Sequence, residues 1–246
     1  MIFAAIADVH GNHLALEAVL EDIRRQGITE IVNLGDCFSG PLEAGLTAEL
    51  LMSLDALTVC GNHDRALVDR PFEEMGDWER PSYAQLTEAQ LDWIRALPFS
   101  AIYRNEVYLC HATPRDDSTY WMETLSEQGI FHLKPLDEIE ALADGIEQPL
   151  MLCGHSHIAR SVQLSDGRLI VNPGSVGCPG FDYVKPFYHK AQAGAPFATY
   201  AVLEKTGRGW QPAFRQVRYD NIAAAELAKA HGMADWISAL STGWVA

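Results

Sequence analysis

The chain has 246 residues, of which 48% are hydrophobic, 21% charged and 9% aromatic. That length supports one large domain or two small ones with a substantial core. A formal net charge of −15 argues against a general nucleic-acid or anionic-membrane surface, and no apolar run approaches the roughly 20 residues of a membrane helix.

The opening MIFAAIADVHGN is apolar but short, lacks a basic n-region and meets Asp8, so it reads as a first strand and not an export signal. The five cysteines are odd in number and show no CxxC spacing; with no export signal, reduced thiols in the cytoplasm are expected. HLALEAVLEDIRRQG follows, with Leu14, Ala18, Ile23 and their neighbours on an apolar helical stripe and Gly27 as a stop. LEAGLTAELLMSL predicts a second helix. Residues 65–105 predict a mostly helical excursion rich in Arg and aromatics, and 117–143 a further helical stretch. ARSVQLSDGRLIVNPGS predicts a hairpin turning at Asp166–Gly167 in a type I′ turn. Late strands are expected at FATYAVLE and WQPAFRQVRY, and an amphipathic helical tail from Asn221. No linker interrupts the chain, so residues 1–246 are expected to form a single domain: an α/β protein of two packed sheets flanked by helices.

One pattern recurs. IFAAIA leads to Asp8, EIVNLG to Asp36, ALTVCG to Asn62, EVYLC to His111, PLMLCG to His155 and GRLIV to Asn172. Each is a short apolar run ending in a polar residue, as in buried strands that deliver side chains at their C-terminal ends. Asp8, His10, Asp36, Asn62, His63, His111, His155 and His157 gather at those ends. Imidazole with carboxylate and amide oxygen suits Mn, Fe, Zn or Ni and needs no thiolate. Asp8-x-His10 and His155-x-His157 put alternate residues on one side of an extended segment. Each piece alone has a plainer reading: a DxH is common, a Gly-Asp is most often a turn, and a lone His is more often a hydrogen-bonded core residue. Their joint occurrence, each after an apolar run, is what points to metal.

Taken together, DVHGN, GD, GNHD, CHATP, GHSH and NPGSVG resemble the calcineurin-like metallophosphoesterases, and within them the small bacterial phosphodiesterase branch, which includes diadenosine tetraphosphatase-like proteins. ATYAVLE at 198–204 also matches a late family strand. The resemblance implies a four-layer α-β-β-α sandwich and two divalent metal ions per chain. Asp8, His10 and His157 would hold one ion, Asn62, His111 and His155 the other, and Asp36 would bridge them. His63 would act as general acid or charge stabiliser. Two such ions acidify a bridging water for in-line attack on phosphorus, and Mn is the expected activator in assays, with Fe, Zn or Ni as alternatives.

The implied activity is hydrolysis of a phosphodiester or small phosphomonoester, with a nucleotide or dinucleoside polyphosphate as the narrower alternative. The partner is therefore a small phosphorylated substrate; the oligomeric state is left open, a homodimer included. A non-catalytic scaffold, as the retromer subunit of this superfamily is, lacks the catalytic histidine that His63 supplies here. GDCFSGP lacks the Arg of the GDxVDRG of protein serine/threonine phosphatases, which disfavours that activity. CPGFDYVKPFYHKAQAGAPF forms an unusually long insertion, expected as an extended loop at 179–197 that either shapes the pocket or is a surface excursion. Arg65 and Arg115, each following a motif, are candidate oxyanion contacts, and His13 is a third. Tyr120 and Trp121 could stack on a base or pack in the core; Trp236 and Trp244 read as core or dimer contacts. Cys37, Cys60, Cys110 and Cys153 read as small buried residues and not redox switches.

Overall fold

A computed structural model of the protein describes residues Met1–Ala246. It opens with β1 (Ile2–Ile6), α1 (His13–Arg25), β2 (Ile31–Asn33), α2 (Ala44–Met52), β3 (Leu57–Thr58) and α3 (Asn62–Asp69). The helical excursion follows as α4 (Glu79–Tyr83) and α5 (Glu88–Arg95). Next come β4 (Ser100–Tyr103), β5 (Val107–Cys110), β6 (Glu123–Leu125), β7 (Phe131–Leu133), α6 (Leu136–Leu142) and β8 (Leu150–Leu152). The chain ends with β9 (Arg160–Gln163), β10 (Leu169–Asn172), β11 (Gly180–Tyr183), β12 (His189–Gln192), β13 (Ala198–Thr206), β14 (Gly209–Val217), α7 (Asn221–Ala230) and α8 (Ala234–Thr242).

Two five-stranded sheets result, ordered β14-β13-β1-β2-β3 and β4-β5-β8-β10-β9. β1, β2 and β3 run parallel to one another in the first, and β5, β8 and β10 in the second, while β13, β4 and β9 pair with them antiparallel. Parallel strands covered on both faces are apolar throughout. In β1, Phe3 and Ala5 face the second sheet and pack with Val107, Leu109, Leu150 and Leu152. Ala4 and Ile6 face the other way, against Leu16, Val19 and Ile23 of α1. The outer face of the second sheet carries Tyr108, Met151 and Ile170 against Trp121 and Ile139 of α6. The layers are thus helices, sheet, sheet, helix. Because the central strands are parallel, the residues after β1, β2, β3, β5 and β8 emerge along one end of the sandwich.

Four local expectations are corrected. The buried stripe of α1 is centred on Ala15, Leu16, Val19 and Ile23, while Leu14 and Ala18 are only half-buried. The stretch 117–143 is helical only at α6; before it, β6 and β7 form an antiparallel hairpin that turns at Gly129, whose φ is +74°. The β9–β10 turn has a positive φ at Gly167 but not at Asp166. With Gly167 N–H donating to Leu164 O at 3.0 Å and Leu164 N–H to Arg168 O at 2.8 Å, it is the three-residue loop with a left-handed glycine, not a type I′ turn. The 179–197 insertion is no open loop: β11 and β12 pair from Gly180↔Gln192 to Tyr183↔His189.

Candidate metal centre

Two donor groups converge at the strand ends: Asp8, His10 and His157, and Asp36, His111 and His155, each group's ligand atoms lying within 4.8 Å of one another. Asn62 joins the second group, its Oδ1 3.0 Å from His111 Nε2. All the carboxylates here are at most 1% exposed.

The backbone itself aims these side chains. Seven non-glycine residues have positive φ, and five of them are Asp8, His10, Asp36, His155 and His157. Left-handed backbone costs a non-glycine residue about 1–3 kcal/mol and persists only where the surroundings enforce it. Two glycines let the carboxylates approach: a Cβ at Gly61 would lie 2.1 Å from Asp36 Oδ1, and one at Gly154 would lie 2.8 Å from Asp8 Oδ2. Backbone donors then orient the carboxylates, His63 N–H to Asp36 Oδ1 at 2.9 Å and His155 N–H to Asp8 Oδ2 at 3.1 Å.

Backbone carbonyls fix the imidazoles. The Nδ1–H groups of His10, His111 and His157 donate to Ser39 O, Leu34 O and Cys178 O at 2.8, 2.8 and 2.9 Å, which leaves each Nε2 facing the centre. His155 is reversed: Nε2–H donates to Ser118 O at 2.9 Å and leaves Nδ1. Such outer partners set the tautomer and ring orientation of metal-binding histidines.

The residues fit a pair of cations. Nε2 of His10 and Nε2 of His157 face one another at 3.2 Å, and two lone pairs at that distance need a proton or a metal between them. No Lys or Arg forms an ion pair with Asp8 or Asp36, whose charged neighbours are His157 at 3.4 Å and His111 at 3.2 Å. Burial acts to lower the pKa of all these histidines. It prevails at His10, pushed to about 3, and at His155, pushed to about 4. Burial is the largest single influence at His111 and His157 too, but there the raising causes together exceed it: the charge and hydrogen bond of Asp36, with Asp8 and Leu34 O, lift His111 to about 9, and the charge and hydrogen bond of Asp8, with Cys178, lift His157 well above its usual value. The carboxylates thus demand positive charge, and divalent ions answer that demand with the N/O donor set present.

The centre forms part of the wall of a cavity of about 1170 Å³, which His63 also lines. His63 Nδ1–H donates to Glu79 Oε1 at 2.6 Å, and its ring stacks on Trp78 at 5.1 Å and 17°. Burial works against the imidazolium, but the charge of Asp36 and the bond to Glu79 raise its pKa above the usual value. Glu79 is 4% exposed and also accepts Gly76 N–H at 2.9 Å. Trp236 of α8 packs on Trp78 at 4.8 Å, so it belongs to the core behind the site, while Trp244 is exposed.

Sequence reasoning missed Glu79 and Trp78, which sit in GDWERPSY with no motif to mark them. It gave no role to Asp64, whose carboxylate takes Cys37 N–H at 2.8 Å and Gly61 N–H at 3.1 Å and so ties two ligand loops together. Nor did it give one to Asn172 and Ser175 of NPGS, although the motif was visible. Asn172 Nδ2 donates to Gly154 O at 2.6 Å, and Ser175 Oγ donates to Asp8 O at 2.8 Å.

The three expected substrate contacts lie elsewhere. Arg65 is held by Asp117 at 2.6 and 2.9 Å, beside a separate cavity of about 280 Å³. Arg115 is exposed and 3.9 Å from Asp144, and His13 Nδ1 is 2.9 Å from Glu43. None of the three lines the large cavity, because each turns toward an acidic neighbour outside it. The insertion does line it, through Phe181, Tyr183, Lys185 and Phe187. Tyr120 lines it too, whereas Trp121 is 2% exposed and packs in the core. Cys37, Cys110, Cys153 and Cys178 are buried and Cys60 half-buried, with burial pushing every thiol pKa up.

Comparison with known proteins places this geometry. An uncharacterised protein of Methanocaldococcus jannaschii is 28% identical over 200 residues, covering 72% of this chain and 77% of that protein. The crystal structure of a metallophosphoesterase from Sphaerobacter thermophilus superposes with a TM-score of 0.75 at 24% identity, covering 99% of this chain and 100% of that one. A hypothetical protein from Pyrococcus horikoshii gives 0.74 at 19% identity, covering 100% and 99%. These structures share the fold, two mixed sheets flanked by helices. Residues 1–204 match the calcineurin-like phosphoesterase superfamily domain, a span that contains every residue of both donor groups. The chain belongs to the calcineurin-like phosphoesterase superfamily and is a metal-dependent phosphoester hydrolase.

Proposed function

We propose that this protein hydrolyses a phosphodiester or a small phosphomonoester in the 1170 Å³ cavity. Asp8, His10 and His157 would hold one divalent ion, Asn62, His111 and His155 the other, with Asp36 shared between them. When bound, such ions supply Lewis-acid activation of water and neutralise phosphoryl charge. The observation that carries the reading is the pairing of two donor groups with His63, an imidazole outside both groups whose Nδ1 is held by a buried carboxylate. Glu79 holds the Nδ1 proton, so His63 presents Nε2 to the cavity. Its raised pKa supports a proton there for the leaving oxygen, a contribution typically of about 10²–10⁴-fold.

Manganese is the ion to supply first, since the donors are nitrogen and oxygen without thiolate. The five thiols are all unpaired, which fits a reducing compartment such as the cytoplasm. The cavity volume also has room for a nucleotide-sized group, which makes a nucleotide or dinucleoside polyphosphate the second reading; product analysis separates the two. The test is hydrolysis of bis-p-nitrophenyl phosphate and p-nitrophenyl phosphate by metal-stripped protein reloaded with Mn²⁺, beside His63→Ala. Metal-dependent turnover that falls at least about 100-fold in the variant supports the reading. Two ions bound per chain with no turnover of either ester refutes it for these classes.

A further inference from the structure

The histidines of the two donor groups are not anchored alike. His10 and His111 give Nδ1–H to Ser39 O and Leu34 O, in the segment that follows β2, and His157 gives its own to Cys178 O, just after NPGSVG. His155 alone is anchored on Ser118 O, in the loop between β5 and β6. It is also half-buried, where His10 and His111 are at most 1% exposed. One hydrogen bond leaves an imidazole free to rock about its Cβ–Cγ bond, which would swing Nδ1 off an ion. Whatever fixes the Ser118 loop and the faces of the ring therefore fixes this ligand.

Tyr120, two residues beyond Ser118, does both. Its ring stacks on His155 at 4.9 Å and 29°, and its carbonyl accepts from Lys134 Nζ at 2.6 Å. Its hydroxyl donates to His189 Nε2 at 3.0 Å, because His189 Nδ1–H is given to Phe187 O at 2.8 Å. His189 opens β12 of the insertion, is 2% exposed and lies 69 residues from Tyr120 in the chain. Phe131 of β7 packs against both rings, at 5.0 Å from Tyr120 and 5.3 Å from His189. The turn at Gly129 closes on the same place: a Cβ there would lie 3.2 Å from His189 Cα.

We propose that Tyr120 and His189 are positioning residues for the second divalent ion: through them the β11–β12 hairpin holds the ring of His155 in place. The inference rests on the two-ion reading of the site and deepens it. The insertion then has a task besides lining the cavity, since the strand that carries His189 braces a metal ligand from outside both five-stranded sheets. Outer partners of metal-binding histidines are worth about 10–100-fold in metal affinity, and a single hydrogen bond one ring removed from the ligand belongs at the low end of that range.

The test is calorimetric titration of the metal-stripped full chain with Mn²⁺. Tyr120→Phe keeps the stacked ring and removes only the hydroxyl, and His189→Leu removes the acceptor. Each should weaken one of the two ions by about tenfold and leave the other within about twofold. Both variants delete the same bond, so the double variant should be no weaker than either single one. His189→Gln, whose amide oxygen accepts in place of Nε2, should restore most of the affinity. Two backgrounds identify the ion: Tyr120→Phe should still weaken the Mn²⁺ that remains in His157→Asn, which lacks a donor of the first ion, and should leave unchanged the Mn²⁺ that remains in His111→Asn. Equal weakening of both ions, or additive losses in the double variant, would show a general structural role and overturn the inference. Two ions held as tightly in both single variants as in the wild type overturn it as well and leave the two-ion reading standing. Fewer than two ions on the wild type refute that reading and take the inference with it.

Discussion

Glu79 Oε1 stands 2.6 Å from His63 Nδ1, although the two residues come from different helices and only one of them belongs to a motif. The carboxylate fixes which nitrogen of His63 reaches the cavity. Glu79→Gln should therefore lower kcat by about 10–100-fold, part of the general-acid contribution, and leave KM nearly unchanged. The loss should grow as the leaving alcohol becomes more basic. Rates for a series of aryl phosphodiesters check this: an equal loss for p-nitrophenol and phenol esters would show that Glu79 does not act through the leaving-group proton.

Gly61→Ala tests the close approach that Asp36 requires. The new methyl would sit 2.1 Å from Asp36 Oδ1 and 2.5 Å from Asp36 N, with no flexible group to yield. The expected result is loss of at least one bound metal per chain after desalting, with a destabilisation of about 1–3 kcal/mol typical of overpacking. Metal content by elemental analysis and a denaturant midpoint are the two readouts. Full occupancy in a stable variant would mean that Asp36 is not shared between the ions.

Chelation should destabilise the protein as well as silence it. Asp8 and Asp36 are buried at 0% and 1% exposure, and their counter-charges come from histidines. An ion present at 100 times its Kd adds about 2.7 kcal/mol per site. Thermal unfolding with and without a chelator, followed by Mn²⁺ addition, measures this; an unchanged Tm would indicate that the centre binds no ion tightly.

The Arg65–Asp117 pair makes a prediction about acid stability. Burial alone would raise the Asp117 pKa, but the bonds from Arg65 and Ser118 outweigh it and hold the value below the usual one. A depressed folded pKa stabilises above the unfolded value near 3.9, and that contribution is lost as pH falls through the folded value. Arg65 is 45% exposed on its side chain, so the pair is worth about 1 kcal/mol or less. Arg65→Leu should lower the urea midpoint slightly at pH 7 and by less at pH 3. Equal losses at both pH values would assign the effect to packing.

The strand ends were legible because burial on both faces writes a continuous apolar run, and the polar residue that ends it stands out. Hence Asp8, Asp36, Asn62, His111 and His155 could be named from sequence, and the structure brings them together. Glu79 was not legible: a carboxylate in a helix start looks the same whether it faces water or His63. Arg65 and Arg115 were misleading for the converse reason, since adjacency to GNHD and CHATP says nothing about which way a long side chain turns. The β6–β7 hairpin was read as helix because the strands are only three residues each, too short for a period of two to declare itself; Gly129 was the missed signal.

The left-handed backbone at Asp8, His10, Asp36, His155 and His157 has a consequence for the protein's history. Glycine would relax the main chain at each of these positions. Backbone cost is thus carried at residues reserved for chemistry, and selection for durability alone would favour glycine there and leave the protein silent. At these five positions a change to glycine would ease the backbone and remove a donor in the same step, so durability and chemistry are set against each other there.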